Sequence, residues 1–245
     1  MKYIFNIFIL IFVFASCEKP SDCFQNAGKI ISQYVAVTSF DKVVINHGIA
    51  AVITKGDEYS LIIDAPENLI SDIKVEIVDG ILKISDNTTC NFTRKYGLTT
   101  VHIIVPNLTE IHSQTEKNII SNGILNFPNL TLFATDLQDE VGTGDFILEL
   151  NSNNLTINTN NISGFYLSGI CGNLVANFYE GNGILRAENL QLTNAQIFQR
   201  SSNHLHLKPS SSLTGKILST GNVYCYGLPA VVEVEQPYIG KLIFL

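Results

Sequence analysis

The side chains best suited to chemistry are few, and each lacks the companions its chemistry needs. His204 and His206 stand two apart, which sets both imidazoles on one face of a strand. Such a pair holds a metal when a third ligand converges. No neighbouring acid or cysteine in that stretch supplies one, so the two read as surface histidines. Between residues 121 and 222 the basic residues are Arg186, Arg200, Lys208 and Lys216. A carbohydrate-active enzyme of the polysaccharide-lyase kind would need a base beside cations or calcium, to stabilise a carboxylate-derived anion. These four cations share no register. No nucleophile pairs with a histidine, and serine gathers at turns, where its bonding to the backbone accounts for it. A lyase-like enzyme is therefore the alternative, and a non-catalytic protein is the reading.

Two further clusters point to ligands. Gly142-Thr143-Gly144-Asp145 has the look of a fragment of a calcium-binding β-roll, with Asp136, Asp139 and Glu140 nearby. A calcium roll needs tandem nonapeptides to complete its oxygen cage. Here the spacing is near 20 and the other turns lack the aspartate, so neither metal nor cofactor is expected. Phe165, Tyr166, Phe178 and Tyr179 would form a sugar-stacking stripe if all faced outward. The favoured reading is that alternate members fill a core.

What must position these residues is a repeat. Small-residue turns recur at Ser121-Asn122-Gly123, Gly142-Thr143-Gly144, Ile162-Ser163-Gly164, Gly181-Asn182-Gly183, Arg200-Ser201-Ser202 and Ser219-Thr220-Gly221, every 19 to 21 residues. A fixed period of this size marks a solenoid. After each turn comes a short β-prone run, and later stand pairs spaced by two: Leu130/Leu132, Leu155/Ile157, Leu174/Ala176 and Leu190/Leu192. Helical spacing is absent. A rung of ~20 residues at ~3.3 Å each has a contour of ~65 Å, enough for two or three short strands round a narrow core. Glycine suits the corners because a sharp bend often needs positive φ. The slips of register near Tyr166 and His204 predict small bulges. The expected fold is an all-β, right-handed parallel β-helix.

Composition narrows the partners. The 245 residues carry 22 acidic against 15 basic side chains, a net charge of −7. Without Lys/Arg clusters the chain is not built for nucleic acid or for an anionic lipid surface. Met1 to Cys17 reads as an export signal: Lys2, an apolar run from Ile4 to Phe14, then Phe14-Ala15-Ser16-Cys17. The run is too short to span a bilayer. Small residues directly before a cysteine match a lipobox, so Cys17 is expected to be lipidated and to anchor the chain to a membrane; ordinary cleavage nearby is the alternative. Residues 18–37 read as a polar tether, and 38–245 as one head domain. Within it, Asp79-Gly80 between two β-prone runs predicts a hairpin. The block from Phe40 to Pro106 is expected to cap the apolar end of the solenoid.

Phe40-Asp41-Lys42-Val43, the Asp79–Ile84 hairpin and the closing Ser219-Thr220-Gly221-Asn222-Val223-Tyr224-Cys225-Tyr226-Gly227-Leu228-Pro229, then Gly240-Lys241-Leu242, together resemble the putative autotransporter-adhesin head (GIN) domain family, of unknown function and common in Bacteroidetes-type lipoproteins. The similarity covers roughly residues 38 to 245 through many weak positions. It implies a β-helical fold and an exported location, and brings no catalytic residues. Ser201-Ser202 departs from the family's glycines, which predicts a less sharply turned corner. Cys23 and Cys90 are expected to pair as a disulfide pinning the tether to the head, with support from resemblance alone; two unpaired thiols are the alternative. Cys171 and Cys225 read as small core residues. The chain is thus expected to be a lipid-anchored solenoid of the bacterial envelope, on the periplasmic or surface face of the outer membrane. Its expected role is binding or adhesion toward a glycan or a surface protein, and self-association through open strand edges is allowed.

Overall fold

The structure, a computed structural model, describes residues 26–88, 95, 97–135 and 142–245. Alternation of apolar and polar residues dictates its elements: in Thr99–Val105 and Phe146–Leu150 every second side chain is buried, as a half-buried strand requires. The described residues form strands β1 (Ile30–Val35), β2 (Lys42–Asn46), β3 (Ile49–Lys55), β4 (Ser60–Pro66), β5 (Ile73–Val78), β6 (Ile81–Asp86), β7 (Thr99–Val105), β8 (Glu110–Gln114), β9 (Ile119–Leu125) and β10 (Asn129–Ala134). Four long ones follow, β11 (Phe146–Thr159), β12 (Gly164–Phe178), β13 (Ile184–Gln199) and β14 (Leu205–Ile217), then β15 (Val223–Cys225), β16 (Val231–Glu235) and β17 (Leu242–Phe244). Among the described residues a single 3-10 turn, Ile70–Asp72, interrupts them.

The chain is a β-solenoid with two walls. Sheet A runs β5, β6, β2, β8, β10, then the C-terminal halves of β11 to β14, then β16. Sheet B runs β1, β4, β7, β3, β9, then the N-terminal halves of β11 to β14, then β15 and β17. All pairings from β2 onward in each stack are parallel, apart from those of β5 and β4. Between the walls lies one continuous apolar core. Phe146 stacks on Phe165 at 5.1 Å with the rings nearly parallel, and Phe178 meets Phe165 edge-on at 5.7 Å.

The first rungs are not stacked in chain order. β6 and β7 lie outside β2 and β3, and the chain then passes over that pair to lay β8 and β9 on its other side. Antiparallel β5 and β4 close the apolar end. The expected Asp79-Gly80 hairpin is there, with both residues at positive φ (51° and 77°), as a tight two-residue turn demands.

Several expectations need correction. The tether was expected to reach residue 37, yet β1 pairs antiparallel with β4 from Ile30 to Val35. As an outer edge strand it buries little, so it lacks the alternation that betrays a strand. Gly123 is no corner: it sits within β9 at φ 79°. Leu190/Leu192 is not the fourth member of its series, for Leu174/Ala176 stack on Ala195/Ile197. The bulges fall at 121–123, at 187–194 and near Tyr166, not at His204. Corner glycines mostly serve close approach instead of positive φ. A Cβ on Gly144 would lie 1.9 Å from the Lys117 carbonyl oxygen, and one on Gly221 1.8 Å from that of Asn203. Ser201 fits the file of corners because its hydroxyl donates to the Gly183 carbonyl at 2.7 Å.

Candidate functional site

A parallel stack places equivalent residues of successive rungs side by side. Along the middle of sheet B this produces an outward column of Ile120, Ile147, Tyr166, Arg186, His206 and Tyr224. Two bulges turn part of this flat column into a groove. On β9, Ile120 pairs with Ile147 and Ile124 with Glu149, so Ser121, Asn122 and Gly123 bow out against one residue of β11. On β13, Tyr166 pairs with Arg186 and Ser168 with Asn189, so one extra residue is accommodated. Glu188 and Asn189 therefore both remain outside, between buried Ala187 and Leu190. Bulges of this kind re-aim side chains.

Between these raised edges, β11 and β12 form the floor of a groove of about 580 Å³. Tyr166, 40% exposed, lies across its floor. The ring rests against Gly164, where a Cβ would stand 2.6 Å from Cε2. Arg186 donates from both Nε and Nη2 to one oxygen of Glu188, Oε1, at 2.9 Å each. The other oxygen, Oε2, is buried with no hydrogen-bond partner among the described residues. Leaving such an acceptor unpaired costs about 1–3 kcal/mol. Ser168, Asn189, Glu149 and the Tyr166 hydroxyl line the same groove, and none of their side chains is engaged among the described residues. The groove thus carries unused hydrogen-bonding capacity around one aromatic platform.

Beyond Arg186 the column ends in a ring cluster. His206 stacks on Tyr224 at 4.8 Å and its Nδ1 is 3.1 Å from the Tyr226 hydroxyl. Burial, reinforced by Arg186 and His204, holds His206 below the ordinary histidine pKa although Glu188 pulls the other way. His204 accepts the Asn222 N–H at Nδ1, 3.0 Å, and its ring lies 6.5 Å from His206. The two imidazoles do share a face, but among the described residues no three His, Cys, Asp or Glu side chains gather as metal ligands would.

Sheet A differs in kind. Asn129, Asn154, Asn173 and Asn194 form a chain of side-chain amides, each Nδ2 donating to the Oδ1 before it at 2.7–2.9 Å, and Ser212 donates to Asn194 at 2.8 Å. Asn177 likewise donates to Asn158 at 3.0 Å. Farther along, Glu110 accepts from Lys42 at 2.7 Å and pairs with His112 at 2.8 Å, while His112 stacks on Phe133. Burial pushes the Glu110 carboxyl up, but Lys42 and His112 outweigh it and hold the group below the usual range.

Of the residues singled out by sequence, Cys17, Cys23, Cys90, Asp136, Asp139 and Glu140 lie outside the described residues. Asp145 accepts the Gly164 N–H at 2.8 Å, joining two rungs. Phe165 and Phe178 are fully buried while Tyr166 and Tyr179 are exposed; the two tyrosines lie on different sheets, so no aromatic stripe forms. Cys171 and Cys225 are buried free thiols, and burial pushes Cys171 up to about 11. Arg186 belongs to sheet B and Lys216, paired with Glu235, to sheet A. Sequence reasoning missed Glu149, Ser168, Glu188 and Asn189. The one available signal was Glu188-Asn189, two polar residues in succession where alternation calls for one.

Comparison with known proteins agrees with this architecture. The family model described as "Putative auto-transporter adhesin, head GIN domain" matches residues 39–229, and the chain belongs to that family. The fold is shared with a putative adhesin from Bacteroides fragilis at 18% identity and TM-score 0.80, covering 89% of this chain and 97% of that one. A putative lipid binding protein from Parabacteroides distasonis superposes at 15% identity and TM-score 0.66 over 89% and 97% of the two chains. A putative adhesin from Parabacteroides merdae does so at 17% identity and TM-score 0.56, with the same coverage. No curated protein matches the chain.

Proposed function

We propose that this member of the adhesin-head GIN family is an exported, non-catalytic binding module of the bacterial envelope. Cys17 would carry the lipid, the segment between it and β1 would serve as tether, and Cys23 would bridge to Cys90. The observation that carries the binding role is the sheet B groove, where Ser168, Asn189, Glu149 and the Tyr166 hydroxyl are left unused by the fold, while the asparagine ladder of sheet A binds itself. A lyase-like reaction is disfavoured by the same geometry, because Arg186 is already bound to Glu188 and no base stands free beside a second cation. Family membership supports adhesion as the role, and open parallel edges at β16 and β17 would allow self-association.

Three experiments test this. Metabolic labelling of the full chain with a fatty acid should mark the wild type and leave Cys17→Ser unlabelled; equal labelling would remove the anchor. Cells displaying the chain should lose attachment to their target surface when Arg186→Ala and Glu188→Ala are combined. Undiminished attachment would move the binding face elsewhere. Peptide mapping without reductant that finds Cys23 and Cys90 both free would remove the disulfide.

A further inference from the structure

We infer that the sheet B groove binds a neutral, hydroxyl-rich saccharide, lying along the floor made by β11 and β12. This rests on the reading of the groove as the binding face and adds the chemical class of its ligand. Three features of the groove select that class.

The first is the platform. Tyr166 lies against Gly164 and is 40% exposed, which offers apolar area beside a free hydroxyl. The C–H face of a pyranose packs on such a ring while its hydroxyls reach the polar edge. The second is the mixture of hydrogen-bonding groups. The Glu149 carboxylate accepts, and Ser168, Asn189 and the Tyr166 hydroxyl both donate and accept. A sugar hydroxyl is at once donor and acceptor, so vicinal hydroxyls meet this set without leaving a group unpaired. The third is charge. Two carboxylates face one guanidinium that is already committed to Glu188, and the chain carries −7 overall. A uronate, sulfate or sialate would gain no free cation and would meet Glu149. The groove is also open and shallow, and its apolar lining lacks the buried aromatic pocket that anchors a protein partner. Its floor spans two rungs and its edges two more, about 14 Å across at ~4.8 Å per rung, which suits a chain of sugar units instead of a monosaccharide.

The test presents the full chain to an array of immobilised oligosaccharides, neutral (hexose and N-acetylhexosamine) and anionic (uronate, sulfate and sialate). The tightest neutral oligosaccharide is then titrated against variants. Retention of neutral glycans above anionic ones is expected. Tyr166→Ala and Glu188→Gln should each weaken binding about tenfold or more, as hot-spot residues do, while Tyr179→Ala, on sheet A, should leave it unchanged. Thermal unfolding of each variant, with Tyr166→Phe as the gentler change, separates lost contact from lost fold. Absence of neutral-glycan binding, preference for anionic glycans, or titrations that ignore Tyr166 and Glu188 would each overturn the assignment. Cell attachment that still depends on Arg186 and Glu188 in the absence of glycan binding would refute the saccharide and leave the groove as the binding face. Attachment indifferent to both would refute the face itself.

Discussion

Sheets A and B are made by the same rungs, yet they present opposite surfaces. On sheet A the Asn129–Asn154–Asn173–Asn194–Ser212 ladder consumes its own donors and acceptors. Sheet B carries exposed Ile147 and Tyr166, and beside them Glu188 Oε2 stands without a partner. A polar face is therefore not by itself a binding face. What distinguishes the two is whether hydrogen-bonding capacity is satisfied along the stack. Regular register satisfies it along the asparagine ladder of sheet A, and bulges at 121–123 and 188–189 break that regularity at the groove of sheet B.

Substitutions can break this comparison at several depths. The deepest is Phe165→Ala, which removes the ring stacked on Phe146 in the core that both sheets share. It should cost about 3–5 kcal/mol in urea unfolding and weaken both faces alike. Next, Asn173→Ala interrupts the sheet A ladder at its middle, where the amide both donates and accepts. About 1 kcal/mol of stability should be lost, with ligand binding untouched. Glu188→Gln on sheet B should behave in the opposite sense, with the larger effect on binding and the smaller on stability. A variant pair that reverses this pattern would erase the distinction between the faces.

Acid should act in two steps, first at His206 and then at carboxyls of both sheets. His206 on sheet B is held below its unfolded pKa by burial and by Arg186. The unfolded chain therefore takes up that proton first, and stability falls as pH drops below the ordinary histidine value of about 6.5 toward the lower folded value. The carboxyls of Glu110, and of Asp64 with its hydrogen bonds from Ser32 and His102, are also held low. Their contribution is present above the ordinary carboxylate value of about 4 and is lost as pH falls through the folded values. Melting temperatures measured from pH 8 to 3 should show a shallow early decline that His206→Gln removes, then a second decline that it leaves in place. A wild-type curve flat from pH 7 to 5 would contradict the first part.

The solenoid was legible because its corners bring backbones within van der Waals reach, and only Gly or Ser fits there. Thus Gly144, Gly164, Gly183, Ser201 and Gly221 mark rungs at a near-constant period. The same signal misled at Gly123, where the small residue serves a bulge within β9. Leu190/Leu192 misled for a related reason: the extra residue at Glu188-Asn189 displaces the next stacked pair to Ala195/Ile197. Nor could the swap of β6 and β7 outside β2 and β3 be read, since every one of these strands alternates alike and would fit either place. The groove was invisible for the deepest reason. It depends on which residue of one rung lies beside which residue of the next, and register between rungs is a property of the stack.

The central claim is that ligand docks in the groove of sheet B and not on the self-bonded asparagine ladder of sheet A. Hydrogen exchange of the full chain, with and without the tightest neutral oligosaccharide, tests it most directly. The account predicts added protection confined to residues 147–149, 166–168 and 186–189, with 154–158 and 173–177 unchanged. Protection centred on 154–158 and 173–177 would contradict it.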